Sequence, residues 1–326
     1  MKKLVSCIIF LLLALLLFFK CNDILLSTST NRYYMLDEYL DSVDESYDVQ
    51  IFGSCHAYTS FNAKTFTEEQ DISAFVLAYP SEIIPTTYVR MATQFRQDAP
   101  EVAVIDIWGI NAYDTYIDKE SLFNDYLLPN LESFPFSREK LEVVNEYEHL
   151  NIWDLTFPIV RYKDRMMDNS LEEVDFNYSF REAHQFQPKY IRTEMELRFA
   201  NRGYKPYDVY YITDYPDLQA QVDSDELLPL EEDIQKYVDK IIELCDEYDV
   251  ELIFYRAPYR SNERELMKVN YFRDYCEERS ITFIDLEKEL EWDYMADFAD
   301  YEHLSEDGAA KATEYLTPYI LEALNR

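Results

Sequence analysis

Apolar residues fall along the chain in short, nearly continuous runs separated by amphipathic stretches, and that alternation predicts a parallel α/β sheet. Val49–Phe52 is a strand ending at Gly53, and Ile72–Leu77 is a second one. Residues Ile84–Gln97 read as a helix. Val102–Trp108 is a third strand, apolar enough to be covered on both faces. The pattern returns after residue 231. Ile234–Tyr248 carries Ile234, Val238, Ile241, Ile242 and Cys245 on one helical stripe. Glu251–Tyr255 is a strand stopped before Pro258, Asn262–Glu278 a helix, Ile281–Asp285 the last strand, and Ser305–Leu324 the final helix. Strand–helix repeats at this spacing predict a three-layer α/β/α, flavodoxin-like parallel sheet of about five strands.

Between the two halves the periodicity is lost. Residues from about 112 to 230 are aromatic, acidic and irregular, with helical fragments expected at Ser137–His149 and Ile159–Asp168. The stretch reads as a large insertion or cap, because no Gly/Ser-rich linker marks an independent module. At the other end, Lys2 and Lys3 precede an uncharged apolar run from Leu4 to Phe19. The run falls short of the about 20 residues of a full span and resembles a signal-peptide core. Bulky Phe18 and Phe19 provide no small-x-small cleavage site, so residues 1–21 read first as an uncleaved membrane anchor and second as a cleaved signal. Positive charge ahead of the run predicts an extracytoplasmic C-terminal domain. Residues 22–47, with a short helix around Tyr34–Val43, read as a stalk to a domain over 48–326.

Composition narrows the function. A net charge of −34 repels phosphate backbones and excludes a nucleic-acid partner, while also fitting a merely solubilising surface. Of the 5 cysteines, Cys7 and Cys21 belong to the N-terminal segment. Cys245 and Cys276 lie on helices, either as buried apolar residues or as a disulfide, and Cys55 is left in a turn.

Ligands of a parallel sheet bind at the carboxyl ends of its strands, so chemistry is sought there. The first strand ends in Gly53-Ser54-Cys55-His56, a sharp turn that exposes a nucleophile beside helix N–H groups. The third ends in Gly109-Ile110-Asn111, where an amide donor faces the same crevice. The closing loop carries Asp300-Tyr301-Glu302-His303, an acid spaced to orient an imidazole. Each piece alone is commonplace: a simple turn, a turn asparagine, a helix-start aspartate. Together they fall in the order of a nucleophile, a base and its orienting group.

This joint pattern resembles the SGNH/GDSL hydrolase superfamily, with its Gly-Asp-Ser-type first block, Gly-x-Asn third block and Asp-x-x-His last block. It is most similar to envelope-anchored bacterial members with a Gly-Ser-Ser-His turn, relatives of the lipoteichoic-acid D-alanylation protein D and of alginate acetylation proteins. The tail His303-Leu304-Ser305 with Gly308-Ala309 fits that type. The likeness covers about 48–111 and 231–326. It implies an esterase or O-acyltransferase that needs no cofactor or metal and acts on polysaccharide or another acylated envelope substrate. It further implies Cys55, or failing it Ser54, as nucleophile, His303 as base and Asp300 as its orienter. Asn111 and a backbone N–H of Ala78 or Tyr79 would hold the oxyanion. The chain departs from the pattern twice: Cys55 stands in the serine slot, and Leu77-Ala78-Tyr79-Pro80-Ser81 lacks the second-block glycine. Two other readings are a non-catalytic envelope protein binding glycan or a protein partner, and metal binding by Cys55, His56, Asp300 and His303.

Overall fold

In the computed structural model, the described residues are 2–29, 46–111, 113, 127, 130–131, 134, 136–147, 197–207 and 224–325. The expected stalk helix around Tyr34–Val43, the fragment Ile159–Asp168, and His149 and His184 lie outside them.

Five parallel strands form one sheet in the order β2-β1-β3-β4-β5: β1 Val49–Gly53, β2 Ala74–Ala78, β3 Val102–Asp106, β4 Glu251–Arg256 and β5 Thr282–Asp285. Alternate residues of each strand feed two cores. Phe52, Leu77, Ile105 and Phe254 point to one face, Ile51, Val76, Val104 and Ile253 to the other. The first face packs under α4 Ile84–Gln97, α6 Glu232–Tyr248 and α7 Glu263–Glu278. The second packs under α2 Cys55–Ser60, α3 Ala63–Gln70 and α9 Glu306–Ala323. Coverage on both faces is why the strands read as apolar runs and not as alternating ones. The expected three-layer sheet is therefore the observed fold.

Chain direction reverses across the sheet between β1 and β3, since β2 lies on one side of β1 and β3 on the other. A crevice opens at such a reversal, beyond the carboxyl ends of the two strands. The third strand is shorter than its apolar run suggests. The Asp106 carboxylate accepts the backbone N–H of Trp108 at 3.3 Å, and the chain turns into a 3₁₀ segment over Ile107–Asn111. Helix ends follow their sequence signals. Asn262 caps α7 and exchanges hydrogen bonds with Glu265, and Ser305 caps α9 through the N–H of Gly308. A further helix, α5 at Arg138–Glu146, lies within the expected Ser137–His149 fragment. A four-residue turn, α8 Leu286–Glu289, follows β5.

One described piece of the insertion, residues 197–207, covers the edge of the sheet at β2. The N–H of Val76 on β2 donates to the carbonyl of Arg202, and the N–H of Lys205 donates to that of Tyr58 on α2. Gly203 has φ +84°, and a Cβ there would lie 2.1 Å from the Val76 carbonyl, so only glycine permits the approach. Buried Arg198 donates to the carbonyls of Ala78 and Gly203 and lies over the Tyr58 ring. Backbone groups of an edge strand that would otherwise template aggregation are thus partnered.

At the N-terminus, α1 runs from Lys2 to Ser29, longer than the apolar run itself. Its segment Lys3–Cys21 is long and apolar enough to cross a membrane, with mean hydropathy 2.8 and no burial against the rest of the protein. A signal anchor and a signal sequence share this length and composition. Cys245 and Cys276 are both buried free thiols, and the pairing considered for them is not formed.

Candidate active site

Gly53 makes the turn after β1. Its φ is +133°, and a Cβ would sit 2.8 Å from the Cβ of Asp106 on the neighbouring strand. Its bare backbone brings the next residue against the end of β3. Ser54 is fully buried and caps α2 by accepting the N–H of His56 at 3.2 Å. Its hydroxyl donates to Asp106 Oδ2 at 2.7 Å and lies 3.0 Å from His56 Nδ1. The Ser54 oxygen is therefore held on three sides.

Cys55, the first residue of α2, is partly exposed. That helix is only six residues long, so the field at its end is weak and the electrostatics come from side chains. Burial pushes the Cys55 thiol up. The charge of His56, hydrogen bonding from His303 and His56, and the charge of His303 outweigh it and hold the thiol well below its ordinary value.

His303 arrives from the opposite end of the domain. Its loop is pinned by a bridge between Phe298 and Leu304, by Ala299 N–H on the His303 carbonyl and by Ser305 N–H on the Asp297 carbonyl. Asp300 Oδ1 accepts the backbone N–H groups of Glu302 and His303, both at 2.8 Å. The same carboxylate meets His303 Nδ1, with Oδ2 at 2.8 Å. With Nδ1 so occupied, Nε2 is the nitrogen left for the cysteine side. Burial alone would lower the basicity of His303, but its hydrogen bonds to Asp300 and Cys55 and their charges raise its pKa to about 11. In turn, Asp300 is held below the usual carboxylate range: burial pushes it up, and the His303 hydrogen bond and charge with two backbone N–H groups outweigh that.

The imidazole of His303 sits in a column of rings. His56 stacks on one face at 5.2 Å and Tyr207, from the docked piece of the insertion, on the other at 5.4 Å. Trp108 continues the column beyond His56 at 5.6 Å, and Tyr259 tilts against His56 at 5.0 Å. The structure thus brings Cys55, Ser54, His303 and Asp300 to one place, at the carboxyl ends of β1 and β3.

The three positions expected to hold an oxyanion have these partners in the structure. The N–H of Tyr79 donates to the carbonyl of Gly53, closing the end of the β1–β2 ladder. The carbonyl of Ala78 takes the Arg198 guanidinium. Asn111, fully buried, donates its amide to the Tyr259 hydroxyl at 2.7 Å. Among the described residues no cluster of three or more His, Cys, Asp or Glu is arranged to hold a metal ion.

No protein-family model matches this chain, and no curated protein matches it. Among solved structures it is similar to a family two carbohydrate esterase from Clostridium thermocellum in complex with cellohexaose, at 10% identity and a TM-score of 0.36. It is also similar to an acetyl xylan esterase from the rumen bacterium Butyrivibrio proteoclasticus, at 8% identity and a TM-score of 0.33. Each match covers 87% of this chain and 66% of the other, so the chain spans just under two thirds of their length.

Sequence reasoning missed four members of the site. Asp106 passed as one polar residue in an apolar strand, yet a lone acid at the end of a strand beside a sheet reversal is a usable signal. Trp108 was assigned to that strand, and Tyr259 and Tyr207 carry no signal, because ring stacking between distant segments leaves no spacing in the chain.

Proposed function

We propose that this protein is an extracytoplasmic acyl-ester hydrolase or O-acyltransferase acting on cell-envelope or exported polysaccharide. The observation that carries the reading is the meeting of the Cys55 thiol with the Asp300–His303 pair at the carboxyl ends of the strands. A thiol drawn toward the anion beside an imidazole drawn toward the cation is an ion pair ready for acyl transfer.

The chemistry then runs in two halves. The Cys55 thiolate attacks the ester carbonyl carbon, forming a C–S bond and an oxyanion. The oxyanion collapses, the C–O bond to the alcohol breaks, and His303 Nε2 gives its proton to the departing oxygen, leaving a thioester on Cys55. Neutral His303 next takes a proton from water, for hydrolysis, or from a sugar hydroxyl, for transfer. The new oxygen attacks the thioester carbon, the C–S bond breaks, and the thiolate faces an imidazolium again. Asp300 fixes the ring throughout. The N-terminal helix, read as an anchor with the domain outside, presents this site to polymers of the envelope.

A second reading is kept by one observation: the N–H of Tyr79 and the amide of Asn111 are engaged within the protein. That arrangement suits a non-catalytic envelope protein that binds glycan. An assay of acetyl release from an acetylated polysaccharide, and of transfer to a sugar acceptor, separates the two. The enzyme reading expects activity in wild type, loss with Cys55→Ala, and a drop of about 10²–10⁴-fold with His303→Ala. Activity undiminished by the His303 change excludes this mechanism, and none in wild type supports the glycan binder.

A further inference from the structure

Sequence reading placed His56 in the turn without a role in acyl transfer. It is 1% exposed and fixed at Nδ1 by Ser54, and its Nε2, like that of His303, is buried with no nitrogen or oxygen partner. A buried nitrogen without such a partner calls for an explanation. Its ring stacks directly on that of His303, and both act on the Cys55 sulfur. Behind it, Ser54 links Nδ1 to a buried carboxyl, Asp106. The cysteine therefore has two histidines, each backed by its own aspartate: Asp300 directly, Asp106 through a hydroxyl.

We propose that Asp106, Ser54 and His56 form a second proton relay that serves Cys55 independently of His303. The proton count shows how it works. With two mobile protons besides that of the Ser54 hydroxyl, the chain has two arrangements. In one, Asp106 is ionised, Ser54 donates to it, and His56 is an imidazolium with protons on both nitrogens. In the other, Asp106 holds a proton and donates to Ser54, Ser54 donates to Nδ1, and His56 is neutral with its proton on Nε2. The two differ only by proton shifts along the two hydrogen bonds, and Nε2 keeps its proton in both. When sulfur is a thiolate the cation sits on His56. When sulfur is bonded to an acyl group, the proton returns to Asp106 and no charge is stranded. Burial pushes the Asp106 carboxyl up toward the protonated form, which brings the two arrangements closer in energy. His56, Ser54, Trp108 N–H and Cys55 modulate that shift. The relay leaves His303 free to carry the proton between leaving group and acceptor, because the thiolate is not held by His303 alone.

The proposal rests on Cys55 as the nucleophile of the proposed function, on whose sulfur His56 acts through its charge and hydrogen bonding. The groups facing the sulfur and His56 are His303 with Asp300 behind it, Asp106 from β3, and Tyr259 with Arg256 5.4 Å from its ring.

The test is the pH dependence of Cys55 alkylation by iodoacetamide in the full-length protein, read by mass spectrometry of the Cys55 peptide. It needs no turnover, so it fails or succeeds separately from esterase activity. Wild type is expected to react as a thiolate well below pH 8. His303→Ala should keep a depressed profile, since His56 remains. His56→Gln and His56→Phe should each slow alkylation at pH 7 at least tenfold, although Phe preserves ring packing against Trp108 and Tyr259. Ser54→Ala, which cuts the chain but leaves both histidines, should show the same loss. The double change of His56 and His303 should return an ordinary thiol near about 8.5. Thermal melting identifies the folded variants. The relay is overturned if a folded His56 variant keeps the wild-type profile, or if His303→Ala alone yields an ordinary thiol.

Discussion

At the residue scale, the charge on Cys55 depends on its two ring neighbours and hardly on its short helix. A buried thiol with no partners resists ionisation, as Cys245 and Cys276 illustrate: burial pushes each of them up to about 12. The same desolvation acts on Cys55, and two imidazoles reverse its outcome. His303 is held cationic in turn by Asp300 and by the sulfur. The sign for activity follows. The ion pair exists above the depressed pKa of Cys55 and below the raised pKa of His303, so the rate should be flat through neutrality. It should fall in acid as sulfur gains its proton, and in strong base as His303 loses its own. Asp300→Asn removes the carboxylate that raises His303. Its alkaline limb should move to lower pH, toward the ordinary histidine value of about 6.5, with the acid limb shifting less. A pH–rate profile of the two proteins checks this, and an unmoved alkaline limb in the variant would assign that limb to another group.

At the element scale, the site depends on how closely two strand ends approach. Gly53 allows the turn after β1 to lie against Asp106, and this contact sets the Ser54 bond that orients α2. Gly53→Ala should cost about 1–3 kcal/mol from its positive φ and its collision with Asp106, and activity should fall further than stability. Chemical denaturation beside the acetyl-release assay measures both, and a variant with full stability and full activity would contradict this view of the turn. The turn itself was legible in the chain, because Gly followed by Ser-Cys-His after an apolar strand has few other uses. So was the closing loop, where Asp300 and His303 are near enough in sequence to pair within one turn. The partners of the expected oxyanion donors were not legible. Whether Tyr79 N–H or the Asn111 amide is available depends on what else reaches it, and both meet partners that pattern cannot reveal: the Gly53 carbonyl and Tyr259.

At the scale of the whole molecule, alternating buried elements predicted the sheet almost strand by strand. Runs such as Val102–Asp106 are apolar on both sides only when helices cover both faces. The insertion resisted reading for the opposite reason. Residues 197–207 earn their place through backbone pairing with β2 and through Tyr207 on His303, neither of which requires a hydrophobic period. The acidic chain and its apolar N-terminal helix lead to one expectation about placement. A membrane-impermeant maleimide applied to intact cells should label Cys55, while Cys245 and Cys276 stay inaccessible in their core. Labelling of Cys55 only after lysis would put the domain on the cytoplasmic side.

The central claim, that sulfur at position 55 takes the acyl group with His303 as its proton carrier, is tested most directly by trapping the intermediate. The full-length protein is mixed with para-nitrophenyl acetate, quenched in acid, digested and examined by mass spectrometry. An acetyl group should appear on Cys55 in wild type, build up when His303→Ala slows its removal, and be absent from Cys55→Ala. An acetyl group on Ser54 instead, or turnover with Cys55 never modified, would contradict the account.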